Sequence, residues 1–161
     1  MTNMIIDESF IVETLKSLGT YETGHSGRTL GKHLFNTYKL LEKMKAPPDV
    51  CLAGAFHSIY GTNIFQKSTI DPKNRHKVKD LFSEKVENLI YLFSIINRPS
   101  CFETNVIQNY KTGETIDVDE ETLYNLKFIE IANLIEQKSS ISRFPVLLEM
   151  YKEILGNINK S

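Results

Sequence analysis

The sequence has few of the features that mark secreted, membrane-spanning or nucleic-acid-binding proteins. Its 161 residues include only two cysteines, Cys51 and Cys101, without CxxC spacing, so we expect reduced, partly buried thiols. The longest apolar runs, such as 89–96, are interrupted and far shorter than the roughly 20 residues of a membrane span. A formal net charge of -1 provides no overall field that would attract nucleic acid or anionic lipid.

We expect no targeting signal at the start of the chain. Residues 1–6 are followed directly by Asp7 and Glu8, without a basic segment or an apolar stretch of useful length, which favours a cytoplasmic protein. A hydrophobic content of 41% and a charged content of 24% are ordinary for a globular domain. Because we find no repeat, low-complexity segment or linker, we expect one domain over 1–161.

Apolar residues recur every three or four positions along most of the chain, which predicts an all-α fold of about seven helices. Ser9, Thr29 and Asp119 are the predicted N-caps of three of them. The third predicted helix has apolar residues on nearly every side and should be the most buried. The segment 106–118 predicts a small surface β-hairpin. The predicted helices cover 9–19, 29–46, 49–60, 75–82, 84–97, 119–137 and 144–155.

The four histidines provide the candidate chemistry. His33 lies on the inward face of the second helix and His57 at the end of the central helix, so both side chains could point into one cavity. His25, in a segment flanked by glycines, could reach the mouth of that cavity. His76 lies in the basic run 73–77, which is typical of a solvated surface.

The order of these residues resembles the HD superfamily, in particular the hydrolase domain of RelA/SpoT-type alarmone enzymes. The resemblance rests on His33, on the run 53–58 (AGAFHS) and on 131–133 (IAN). It is extended by the Ser-Gly pair at 26–27 and by 78–92 (VKDLFSEKVENLIYL), and it covers roughly residues 20 to 137. The resemblance implies a compact bundle of the HD-domain type.

The resemblance also shows where the chain departs from that superfamily. Ser58 stands where members have the aspartate of the His-Asp pair, and Asn133 stands where they have a late metal-binding aspartate. The run Tyr60-Gly61-Thr62 replaces a Glu-Asp-Thr motif that supplies catalytic acids. Since hard cations such as Mn²⁺ require anionic oxygen ligands, we expect neither a tightly held Mn²⁺ nor conventional alarmone hydrolysis.

Three functional hypotheses follow. The first is a degenerate HD-type domain whose histidine-lined pocket binds a small anionic, phosphorylated or nucleotide-like ligand without metal. Arg75 and Arg98 could add recognition of phosphate or carboxylate from neighbouring elements. The donors and acceptors predicted for this pocket are Arg28, His33, His57, Ser58, Tyr60, Thr62 and Asn133.

The second hypothesis is a metal-dependent enzyme, phosphohydrolase or oxygenase-like, in which His25, His33 and His57 bind Zn²⁺ or Fe²⁺ and leave one position open for water. The third is a non-catalytic interaction module that uses the hairpin and the basic stretch 67–79.

Overall fold

The computed structural model describes residues 6–98 and 102–160, so Cys101 and residues 1–5 lie outside the described part. The predicted all-α class is confirmed, because the described residues form seven α-helices and two small antiparallel hairpins. The helices are α1 (Glu8–Ser17), α2 (Leu30–Lys43), α3 (Pro48–Ala55), α4 (Arg75–Leu81), α5 (Glu84–Ile95), α6 (Glu120–Glu136) and α7 (Pro145–Asn159).

Two of the three predicted N-caps are confirmed. Thr29 Oγ1 accepts a hydrogen bond from the backbone of Lys32 at 3.2 Å, and Asp119 Oδ1 accepts one from Thr122 at 2.7 Å. The prediction for Ser9 is wrong, since Asp7 Oδ1 accepts from the backbone of Phe10 at 2.9 Å and α1 therefore begins at Glu8.

Helix α3 occupies the centre of the bundle, as its apolar sequence predicts. The residues from Val50 to Ala55 are all buried, and α3 packs against α2, α5 and α6. The helix ends at Ala55 instead of reaching residue 60. The physical reason is a competing hydrogen bond: Gly54 O, which would accept from the Ser58 backbone in a continuing helix, accepts from His57 Nδ1 at 2.7 Å.

The two hairpins differ in how well the sequence predicts them. The predicted one is confirmed: β3 (Val106–Gln108) pairs with β4 (Thr115–Asp117), with Ile107 opposite Ile116. The other, formed by β1 (Gly24–His25) and β2 (Arg28–Thr29), lies around the start of the second predicted helix, where the sequence predicts no strand. At its turn, Ser26 and Gly27 both have positive φ angles, which is typical of a tight hairpin turn.

The remaining expectations concern the thiol and the membrane. Cys51 is a free, buried thiol, and burial raises its pKa to about 12. Within the described ranges, none of the helices combines the length and the apolar character that crossing a bilayer requires.

Gly54 permits the close approach of α3 to α2, and this leads to a prediction of stability. A Cβ at Gly54 would lie 2.1 Å from Cδ1 of the fully buried Leu41. We expect Gly54→Ala to lower the free energy of unfolding by about 1–3 kcal/mol in urea denaturation, because overpacking outweighs the gain in helix propensity.

The matched control is Gly156→Ala in α7, where an added Cβ meets nothing within 4 Å. This variant should gain up to about 1 kcal/mol from helix propensity alone. If Gly54→Ala were equally stabilising, the close packing of α2 on α3 would not constrain this position.

Candidate functional site

Three histidine side chains meet where β1, α2 and the chain after α3 come together. His33 is 0% exposed, His57 is 1% exposed and His25 is 7% exposed. The His33 ring stacks on the His25 ring, with centroids 4.3 Å apart, and lies nearly perpendicular to the His57 ring at 5.2 Å. The inward direction predicted for His33 and His57 is therefore confirmed.

Hydrogen bonds fix the orientation of the two innermost rings. His57 Nδ1 donates to Gly54 O, which places its lone pair on Nε2. His33 Nδ1 lies 2.5 Å from Glu136 Oε1, and the Nε2 atoms of His33 and His57 face each other at 3.3 Å. When His33 is neutral and protonated at Nδ1, two lone pairs face each other across this gap.

Glu136 anchors this cluster, and sequence reasoning did not find it. Both amino groups of Arg28 donate to its carboxylate, and Asn36 Nδ2 donates to Oε2 at 3.3 Å. Glu136 follows Asn133 by three positions on α6, so the two residues share a helix face. That spacing was the only signal in the sequence that could have pointed to it.

Burial favours the neutral form of all three rings. It lowers the pKa of His57 well below its ordinary value and lowers that of His33 against the opposing effect of Glu136. For His25, burial together with the nearby His33 and Arg28 lowers the pKa to about 4. Burial raises the pKa of the Glu136 carboxyl, but the hydrogen bonds from Arg28 and His33 outweigh it, so that pKa lies below its usual range.

A cavity of about 360 Å³ opens beside His25. Of the residues predicted for the site, those that line it are His25, Ser58, Thr62, Arg98 and Asn133. The apolar part of the wall includes Phe65, Leu134 and Phe144, and Arg143 lines it as an exposed side chain.

Arg98 and Glu130 form a buried ion pair in the wall of this cavity. Arg98 Nη1 donates to Glu130 Oε2 at 2.7 Å, and Asn133 Nδ2 donates to Glu130 Oε1 at 3.0 Å. The guanidinium carbon of Arg98 also lies 4.3 Å from the centroid of the Phe93 ring. Arg98 Nε is buried and has no hydrogen-bond partner. An unpaired buried polar atom is costly, and the wall contains a second one, His25 Nδ1.

A family model described as Domain of unknown function (DUF6817) matches residues 14–98, slightly more than half of the 161-residue chain. The chain belongs to this DUF6817 family. Comparisons with curated proteins and with solved structures give no match. The matched DUF6817 segment contains the three clustered histidines and Arg98, whereas Glu130, Asn133 and Glu136 follow it on α6.

Several residues predicted for the site lie elsewhere in this DUF6817 chain. His33 and His57 lie behind the cavity wall, and Arg28 pairs with Glu136. Tyr60 donates to the fully buried Glu87 at 3.0 Å. Arg75 donates to the same carboxylate with Nε and Nη2, which makes this cluster a satisfied structural ion pair.

The residues of the DUF6817 chain do not fit the divalent-cation site that the HD resemblance implies. Ser58 and Asn133 carry no charge, and the Asn133 amide nitrogen is turned toward Glu130. Over the ranges 6–98 and 102–160, no group of three or more His, Cys, Asp or Glu side chains is arranged to hold a metal ion. His25 stacks face to face on His33, which does not direct their ring nitrogens to a common point.

Proposed function

We propose that this DUF6817 protein binds a small anionic ligand, without metal, in the cavity beside His25. The observation that carries this proposal is Arg98 Nε, a buried N–H group without a partner on a side chain that lines the cavity. Leaving such a donor unpaired costs about 1–3 kcal/mol, which a ligand with an acceptor oxygen would recover on binding.

The charges around the cavity support an anion. Glu130 neutralises Arg98 within the wall, and burial keeps His25 uncharged at neutral pH. The remaining charged side chain of the lining is the exposed Arg143, which makes the lining positive by one charge. A cationic ligand would meet this charge without a compensating carboxylate.

The size and the polar groups of the cavity support a small molecule. Its volume of about 360 Å³ lies at the lower end of the range for small-molecule sites. Hydroxyl groups of Ser58 and Thr62 and the amide of Gln137 provide further hydrogen-bonding groups in the lining.

The proposal can be tested by thermal shift of the full chain against nucleotides, sugar phosphates and organic acids. We expect at least one anionic class to raise the melting temperature in a concentration-dependent way. Ser140 lines the cavity and Ser142 does not, and their hydroxyls hydrogen-bond to each other at 2.6 Å. Ser140→Trp should therefore abolish the shift, and Ser142→Trp, which loses the same hydrogen bond, should retain it.

Two outcomes would contradict the proposal. A shift that survives Ser140→Trp would place the ligand outside this cavity. The absence of a shift across the whole panel would favour the interaction module, for which the exposed residues of the segment 67–79 and the hairpin β3–β4 would be the surfaces to test.

A further inference from the structure

Two of the arginine–glutamate ion pairs in the described part of the chain, Arg75–Glu87 and Arg98–Glu130, use different edges of the guanidinium. Arg75 donates from Nε and Nη2 to the two oxygens of Glu87, at 2.6 and 2.9 Å, which is the bidentate arrangement that a guanidinium forms with a carboxylate. Arg98 donates to Glu130 from Nη1. Its Nε has no partner, and its Nη2 donates to no described residue. The edge that holds a carboxylate in Arg75 is therefore without a carboxylate partner in Arg98.

The charge of the wall limits what this edge can accept. The Glu130 carboxylate lines the same cavity and is itself buried. A dianionic phosphate on Arg98 would bring two further negative charges close to it, in surroundings that screen charge poorly. A carboxylate brings only one negative charge, and Arg143 can balance it. The wall therefore favours a monoanion over a phosphate ester.

The apolar residues of the wall favour a ligand in which the carboxylate is attached to an apolar group. Phe65, Phe144, Ile64 and Leu134 all line the cavity. Apolar atoms of a ligand would be removed from water against these side chains, which contributes about 25 cal/mol per Å² of buried surface. A purely polar acid would leave this part of the wall without a partner.

We infer that the ligand is a monocarboxylic acid with an aromatic or branched apolar body, whose carboxylate is bound by the Nε–Nη2 edge of Arg98. This inference rests on the proposed function, because it assigns a chemical class to the anion of the same cavity. It adds a binding geometry at Arg98, which can be tested by substitution.

The experiment compares acids with neutral and dianionic analogues by isothermal titration of the full chain. The probes are phenylacetate, 4-methylvalerate and indole-3-acetate, each with its primary amide, together with benzyl phosphate. We expect at least one acid to bind, and to bind at least tenfold more tightly than its amide and than benzyl phosphate, since the amide loses the charge and the phosphate is repelled by Glu130.

Arg98→Lys tests the geometry separately from the charge. Lysine keeps a cation opposite Glu130 but has no planar edge, so affinity for the acid should fall at least tenfold. Arg75→Lys is the matched control, since it removes the same edge from the Arg75–Glu87 pair, and Arg75 does not line the cavity. It should leave the affinity unchanged. The selectivity of the unmodified chain among the probes keeps the inference testable if a variant does not fold.

The outcomes separate this inference from the proposed function. If benzyl phosphate or a nucleotide binds and none of the acids does, the carboxylate inference is wrong, and the anion-binding proposal stands. Equal binding of an acid and its amide, or an acid that binds Arg98→Lys normally, would also overturn the inference. If no compound of either panel binds, both proposals fail.

Discussion

Replacing Glu130 by glutamine is expected to lower the free energy of unfolding by about 3–5 kcal/mol, the largest effect of any single substitution considered. The ion pair between Arg98 and Glu130, 2.7 Å long, has side chains that are only 3% and 1% exposed. Removing one partner leaves the other charge buried and uncompensated, which costs far more than the pair itself contributes. Urea denaturation at pH 7.5, well above the range in which carboxylates titrate, measures this loss.

The same substitution on the same helix provides the control. Glu121 pairs with Lys85 at 3.0 Å, but their side chains are 70% and 54% exposed, respectively. Because solvent screens an exposed pair, Glu121→Gln should change stability by less than about 1 kcal/mol. Equal losses in the two variants would mean that the Arg98 charge is solvated, and the argument for an unsatisfied arginine in the cavity wall would fail with it.

A double-mutant cycle tests whether the loss of stability comes from the charge that stays buried without its partner. Arg98→Met and Glu130→Met should each be strongly destabilising, whereas the double variant removes both charges and should be more stable than either single variant. Additive losses would instead indicate that both side chains act mainly through packing. The double variant should also lose binding of the acid probes, because it lacks the guanidinium edge.

Much of the fold follows from local rules that can be read along the chain. The capping of α2 by Thr29 and of α6 by Asp119 depends on residues three positions apart, and so it is predictable. The early end of α3 is not, because it results from a choice between the His57 ring and the Ser58 backbone as donor to Gly54. The hairpin β1–β2 has only two residues in each strand, too few to show alternation.

The candidate site is predictable in part, for a related reason. That His33 points inward follows from helical periodicity, and its contact with His57 follows from the packing of the consecutive helices α2 and α3. Helical periodicity does not predict which carboxylate each buried polar group pairs with. Glu136 lies 103 positions from His33, and Glu130 lies 32 positions from Arg98. For His33 and for Arg98 the sequence offers several acidic residues as partners, and only tertiary packing determines which of them is close enough to pair.

The buried histidines should make stability strongly dependent on pH. All three have pKa values lowered by burial, with that of His25 at about 4, while an unfolded chain protonates histidine near pH 6.5. Below pH 6.5 the unfolded state therefore binds more protons than the folded state, and stability falls as the pH decreases. For His25 the loss at pH 5 is about 2 kcal/mol relative to pH 7.5, and His33 and His57 contribute in the same direction.

Urea midpoints at pH 7.5, 6.5, 5.5 and 5 measure this dependence. The midpoint should decrease slightly between pH 7.5 and 6.5 and more steeply with each further step. Glu136, whose pKa lies below its usual range, adds a further loss only at still lower pH, where its carboxylate is protonated. His25→Gln should reduce the slope below pH 6.5, whereas His76→Gln, which removes an exposed histidine from α4, should leave it unchanged. A flat midpoint from pH 7.5 to 5 would mean that the cluster is already protonated in the folded state, with His33 as an imidazolium that donates to both Glu136 and His57.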